Sequence, residues 1–132
     1  MSQPIGVDQL LAEARSALGE RPTAAGAAKA VEDGALLVDI RSDSQRARDG
    51  SIPGAVRIAR NALEWRADPA SADRDERVAD TSRRIVLFCD EGYASSLAAA
   101  NLRRFGLDAT DLDGGFQAWR AAGLAVEPPA RG

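Results

Sequence analysis

Apolar residues along the chain follow two different spacings. Residues 85–88, I-V-L-F, are a short continuous apolar run, the pattern of a strand buried on both faces, and residues 35–40, A-L-L-V-D-I, read as another buried strand carrying Asp39 near its end. Residues 7–19 instead place Leu10, Leu11, Ala14 and Leu18 at helical spacing, with Gly19 as the stop. An alanine-rich helix is expected over 24–32, with Thr23 as its N-cap. Residues 55–59 predict a short strand, 61–66 a short helix, and 107–112 another strand. After Cys89, Ala98, Leu102 and Phe105 return to helical spacing, and Gly106 ends that helix. The last helix is expected over 116–122, with Phe116 and Trp119 on one side and Gly123 after it. Residues 41–54 are polar and end in a Gly/Pro cluster, so they read as a loop with at most a helical turn. The charged run 73–77 reads as a solvated loop.

Strands alternating with helices imply parallel pairing through right-handed crossovers, hence a sheet covered by helices on both faces. Ligands in such sheets lie at the carboxyl ends of strands. Asp39, Arg41 and Cys89 all fall at such ends and are expected to share one rim.

Composition narrows the chemistry. The 132 residues, 45% hydrophobic and 28% charged, fit one globular domain. A net charge of −3 makes no case for nucleic acid or an anionic membrane surface as partner. No apolar run approaches the roughly 18 residues of a membrane span, and the N-terminus lacks a signal-peptide pattern. A single cysteine allows no internal disulfide, in keeping with a cytoplasmic location. The chain has no histidine, which excludes Cys–His and Ser–His–Asp catalysis; with one cysteine it also excludes a structural zinc site. No metal or organic cofactor is implied.

What remains is Cys89 itself. It opens a glycine-bearing turn between a buried strand and a helix N-terminus, where unpaired N–H groups and the helix dipole favour an anion. A thiolate at that mouth is the nucleophilic form of cysteine. The loop Asp90, Glu91, Gly92, Tyr93, Ala94, Ser95 and Ser96 is the expected binding loop, with Tyr93 as a shield and the two serines as helix-start residues. Its acidic pair opposes the thiolate by about 1 kcal/mol apiece in water at 4 Å. The dipole offers up to about 2 kcal/mol, and each amide bond to the anion on the order of 1.5, so the cup prevails. Asp39, Arg41, Arg60, Trp65 and Arg66 are the rim candidates; for Trp65 and Trp119, packing is the plainer role.

Four segments together resemble a single-domain rhodanese, a sulfurtransferase family. L-L-V-D-I-R at 36–41 resembles the family's first strand with its Asp-x-Arg ending, and G-S-I-P-G-A at 50–55 its G-H-I-P-G-A turn. I-V-L-F-C-D-E-G-Y-A-S-S at 85–96 resembles the strand, active cysteine and loop, and D-G-G-F-Q-A-W-R-A-A-G-L at 113–124 the closing helix. The resemblance implies a three-layer α/β fold with a central parallel sheet of about five strands. Residues 35–127 are then the rhodanese-like domain, 1–34 are N-terminal helices packing on or covering it, and 128–132 are a frayed tail. It further implies that Cys89 accepts a sulfane sulfur as a persulfide and passes it to a thiophilic acceptor. The partners would be a small sulfur donor with a thiol or cyanide-like acceptor, or a protein persulfide.

The chain departs from that family at two places. Ser51 stands where histidine is usual, in a turn that is mainly structural. Thiosulfate-using members commonly carry arginine or lysine after the cysteine, whereas here Asp90 and Glu91 follow it, so poor thiosulfate use is expected. Two other functions compete with this one. A phosphatase or arsenate reductase of C-x₅-R type needs arginine at position 95, where this chain has Ser95. A non-catalytic rhodanese-like module that binds a partner or senses redox state through Cys89 is the alternative.

Overall fold

The computed structural model describes residues 3–129, so residues 130–132 of the expected frayed tail lie outside the described residues. Helices α1 (Val7–Leu18) and α2 (Ala24–Glu32) precede strand β1 (Leu36–Asp39). Helix α3 (Asp43–Asp49), strand β2 (Val56–Arg57), a 3₁₀ turn (Arg60–Ala62) and helix α4 (Leu63–Ala67) follow. Strand β3 (Arg84–Phe88), helix α5 (Ala94–Arg103), strand β4 (Asp108–Asp111) and helix α6 (Gly115–Ala121) complete the order.

All strand pairs are parallel, in the order β2-β1-β3-β4, with Val38 opposite Leu87 and Leu87 opposite Asp111. Four strands are present among the described residues, against the expected five or so. The four are those that the apolar runs indicate; the extra strand came only from the family resemblance. The described chain before β1 is helical and supplies none. A single antiparallel bridge joins Ser51 to Glu127 beyond the sheet.

Side-chain alternation sorts the core into two halves. Leu36, Val38, Ile85, Leu87 and Ala109 face a cluster completed by Leu18 of α1, Leu63 of α4 and Leu102 of α5. Leu37, Val86 and Phe88 point the other way, against Ala27 of α2 and Phe116 and Trp119 of α6. Each face of the sheet is thus covered, giving three layers. Packed outside α5 lies α1, which buries Ala14 and Leu18 while Leu10 stays exposed. No helix among the described residues is long and apolar enough to cross a membrane.

One element contradicts the sequence reading. Residues 43–49 form a helix rather than a loop. Ser42 accepts from Gln45 N–H while the Gln45 side chain accepts from Ser42 N–H, a reciprocal cap that starts a helix lacking an apolar stripe.

Candidate active site

Cys89 follows the last residue of β3 and is half-buried. The turn beyond it curls back so that Gly92 N–H donates to Cys89 Sγ at 3.2 Å. Cys89 S–H lies 3.3 Å from Ser95 Oγ, which can accept it. Ser95 in turn donates to Oδ2 of Asp111 at 2.7 Å. Among the described residues, the backbone N–H groups of Tyr93, Ala94 and Ser95 have no acceptor. They stand at the start of α5 as donors for an anion bound at the thiol. The sulfur opens into a cleft of about 340 Å³ between Ile40, Arg41 and Gln45 on one wall and Asp90, Glu91, Tyr93 and Ala94 on the other.

Behind the loop sits a fully buried carboxylate, Asp111, at the end of β4. Both of its oxygens accept from Arg21, at 2.7 and 3.0 Å, and Ser95 and Ser96 bond to it as well. That pairing holds Arg21 above the usual guanidinium pKa, chiefly through the Asp111 hydrogen bond, with burial opposing it and the charges of Asp111 and Asp113 adding to it. The Gly92 carbonyl accepts from Arg15 at 2.9 Å and from Arg21 at 3.1 Å. Arg15 also donates to Ser96 Oγ at 3.2 Å.

The front of the loop is fastened from α6. Phe116 N–H donates to the Cys89 carbonyl at 2.9 Å and Gln117 N–H to the Asp90 carbonyl at 3.1 Å. This approach requires Gly115, at φ +60°, because a Cβ there would lie 2.7 Å from both carbonyl oxygens. Gly92, at φ +91°, packs against the same turn, where a Cβ would meet Gly114 N at 2.9 Å. The D-G-G-F segment therefore shapes the loop that carries the thiol.

The expected site residues part into three groups. Cys89, Asp90, Glu91, Tyr93 and Ala94 line the cleft, with Gly92, Ser95 and Ser96 buried beneath. Asp90 does not simply face water: its carboxylate accepts from Gln117 Nε2 at 2.8 Å and lies 3.8 Å from Arg48, while Glu91 is exposed. Asp39 and Arg41 are buried against each other in a two-pronged ion pair, and Arg41 also donates to the Gly50 carbonyl. The Arg41 guanidinium stacks 4.0 Å from the centre of the Phe116 ring, so it builds the cleft wall from within rather than extending over it.

Arg60, Trp65 and Arg66 are not brought to the thiol. Arg60 pairs with Glu64; Arg66 bonds the Asp73 carbonyl and approaches Asp75. Trp65 is 61% exposed in a separate groove with Asn61, Ala62, Arg66 and Asp73, so it is not a packing residue either. The 3₁₀ turn and α4 follow β2 at the same carboxyl rim as Cys89, but none of the three residues lines the Cys89 cleft. Arg15, Arg21, Asp111 and Gln117 were missed. Two signals pointed to them: an arginine beside the Ala14/Leu18 stripe, and an acidic residue inside a strand that must be buried.

A parallel α/β sheet with one thiol in a strand–loop–helix turn defines a three-layer α/β domain with a loop-borne cysteine at its carboxyl rim. The match to known families makes this specific: the chain belongs to the rhodanese-like domain family over residues 23–122. Curated relatives are sulfurtransferases. They include thiosulfate sulfurtransferase GlpE of Pseudomonas savastanoi pv. phaseolicola, 36% identical over 91 residues, covering 68% of this chain and 76% of the relative. GlpE of Pseudomonas aeruginosa strain LESB58 is 37% identical, covering 68% and 74%. Among solved structures, a Rhodopseudomonas palustris protein of unknown function, described as a possible tyrosine phosphatase, is similar over 96% of this chain and 99% of its own. It has a TM-score of 0.84 and 35% identity. A rhodanese-related protein of Thermoplasma volcanium, at TM-score 0.66 and 22% identity, covers 82% of this chain and 98% of its own and shares the fold.

Proposed function

We propose that this protein moves a sulfane sulfur through a persulfide on Cys89, using thiosulfate poorly. The observation that carries the reading is Cys89 Sγ at the start of α5, within reach of Gly92 N–H and beside the unpartnered amides of Tyr93, Ala94 and Ser95. In the first half-reaction the Cys89 thiolate attacks the outer sulfur of the donor. A new S–S bond forms, the donor's S–S bond breaks, and its electron pair leaves with sulfite or a thiolate. In the second, a thiol or cyanide-like acceptor, or a protein thiol, takes that outer sulfur and Cys89 departs as thiolate. The free amides stabilise the charge on the transferred sulfur, and the only cysteine leaves no internal thiol to intercept it. Among the known reducing and oxidising compartments, the cytoplasm suits such an unpaired thiol.

The phosphatase chemistry suggested for the Rhodopseudomonas neighbour lacks its anion-clamping arginine here. Loop residues 90–95 contain none, and the guanidinium groups behind the loop bond Gly92 O and Asp111. Intact-mass spectrometry after incubation with thiosulfate, and separately with a low-molecular-weight persulfide, tests the proposal. One added sulfur on the wild type and none on Cys89→Ser is the expected result. No gain from either donor would favour the non-catalytic binding or redox-sensing module instead.

A further inference from the structure

The family-matched segment begins at residue 23, yet two cations on the Cys89 loop come from before it: Arg15 on α1 and Arg21 in the following turn. Their charges are not equivalent. Arg21 is neutralised by Asp111 at 2.7 Å and lies 3.3 Å from Asp113. Arg15 has no carboxylate at ion-pair distance among the described residues; it donates only to Gly92 O and Ser96 Oγ, and it lies 5.7 Å from the centre of the Tyr93 ring. It therefore adds one uncompensated positive charge to a loop whose own charged residues, Asp90 and Glu91, are both acidic.

We propose that Arg15 is a positioning residue of the site. It supplies from α1 the cation that the loop lacks, and it fixes the peptide on which the thiol's amide donors depend. The geometric half follows from peptide planarity. A trans peptide points its C=O and N–H in opposite directions, so a Gly92 carbonyl held toward α1 aims Tyr93 N–H away from α1. The adjoining Gly92 N–H then stays on Cys89 Sγ. The electrostatic half follows from placement. A half-buried guanidinium behind the loop is screened less than the water-facing Glu91, so it offsets part of the loop's negative charge. Helix α1 is on this account part of the active site and not only a cover. The inference rests on Cys89 being the sulfur carrier, and it deepens that reading by naming the cation that partly offsets the acidic loop toward anionic reagents.

Alkylation separates the two claims because it needs no sulfur donor. Cys89 in wild type, Arg15→Gln, Arg15→Met and Arg15→Lys is treated with neutral iodoacetamide and with anionic iodoacetate, each variant's fold being checked by circular dichroism. The iodoacetate-to-iodoacetamide rate ratio is expected to fall roughly threefold to fivefold in Arg15→Gln and Arg15→Met and to stay within about twofold in Arg15→Lys. Sulfur loading from thiosulfate is expected to drop roughly tenfold in the two neutral variants, with partial return in the lysine variant. A merely structural role would slow both reagents alike and leave the ratio where it was. An unchanged ratio, or a lysine variant that behaves like glutamine, overturns the proposal. A wild type that takes sulfur from no donor sinks the sulfurtransferase reading, and the alkylation ratio still decides the role of Arg15.

Discussion

Cys89 is joined to the buried carboxylate of Asp111 through a single hydroxyl: Ser95 Oγ lies 3.3 Å from Cys89 Sγ and 2.7 Å from Asp111 Oδ2. The sulfur is thus connected to a carboxylate in the protein interior that never meets solvent. That carboxylate also receives the two-pronged bond of Arg21 and the hydroxyl of Ser96. Its removal acts on stability and on the loop together.

Asp111→Asn keeps the volume and removes the charge, leaving the nearly buried Arg21 with only the exposed Asp113, at 3.3 Å, as counter-ion. Breaking a buried pair from one side costs about 3 kcal/mol or more. The urea midpoint is expected to fall accordingly, with sulfur loading of Cys89 lost in the variant under conditions where it remains folded. A variant as stable as wild type would show that the pair carries no net stability.

Gly115→Ala places a methyl 2.7 Å from the Cys89 and Asp90 carbonyl oxygens at φ +60°. Gly123→Ala, at φ +75°, meets nothing within 4 Å and serves as control. The control is expected to lose only the strain of a positive φ, about 1 kcal/mol, with activity retained. The Gly115 variant should lose more than the control, roughly 3 kcal/mol, because backbone on both sides must move. Its Cys89 should no longer load sulfur. Paired denaturation curves and mass spectrometry check both.

The tethering of Asp90 divides the acidic pair. Glu91→Arg is expected to raise thiosulfate:cyanide transfer roughly fivefold at low salt, by removing about 1 kcal/mol of repulsion. Asp90→Arg should gain less, since it also forfeits the Gln117 bond at 2.8 Å and the nearby Arg48. Both gains should shrink above 0.1 M salt, where exposed charges are screened beyond about 10 Å. Equal gains from the two variants, or none, would remove loop charge from the control of donor choice.

Asp75 gives the fold a measurable acid limit. Its carboxylate is held below the ordinary value of 3.8, first by the Arg77 side chain at 2.6 Å and also by Arg77 N–H. A depressed folded pKa means stability that is fully present above the unfolded value. It is lost as pH falls from there through the folded value. Asp75→Asn should therefore be less stable than wild type at pH 6, and the two should converge once the pH is well below the unfolded carboxylate value of about 3.9. Thermal melts across that range provide the check.

The sheet was legible because its strands carry the simplest signal: Leu36 to Ile40 and Ile85 to Phe88 are apolar on both faces, and only a covered parallel strand needs that. The thiol was legible because a lone cysteine between such a strand and a helix stands out. Helix α3 hid itself, since its start lies in the Ser42–Gln45 cap and none of its residues is buried. Arg60 and Arg66 were misjudged for a different reason. A cation near the chain of β2 has partners four to nine residues away, Glu64, Asp73 and Asp75, that capture it locally. Arg15 went unseen because its target, Gly92, lies 77 residues further on, a separation that periodicity cannot register.

The bond from Phe116 N–H to the Cys89 carbonyl has a consequence for how the domain comes into being. The thiol follows the third of the four strands, but its loop borrows its form from the last helix. A chain growing from its N-terminus would expose the cysteine well before that helix exists, with neither the bend at Gly92 nor the waiting amides in place. On the proposed function, reactivity is then something the molecule acquires at completion. Until residues 113–117 have docked, the same sulfur is an ordinary side chain on an open turn.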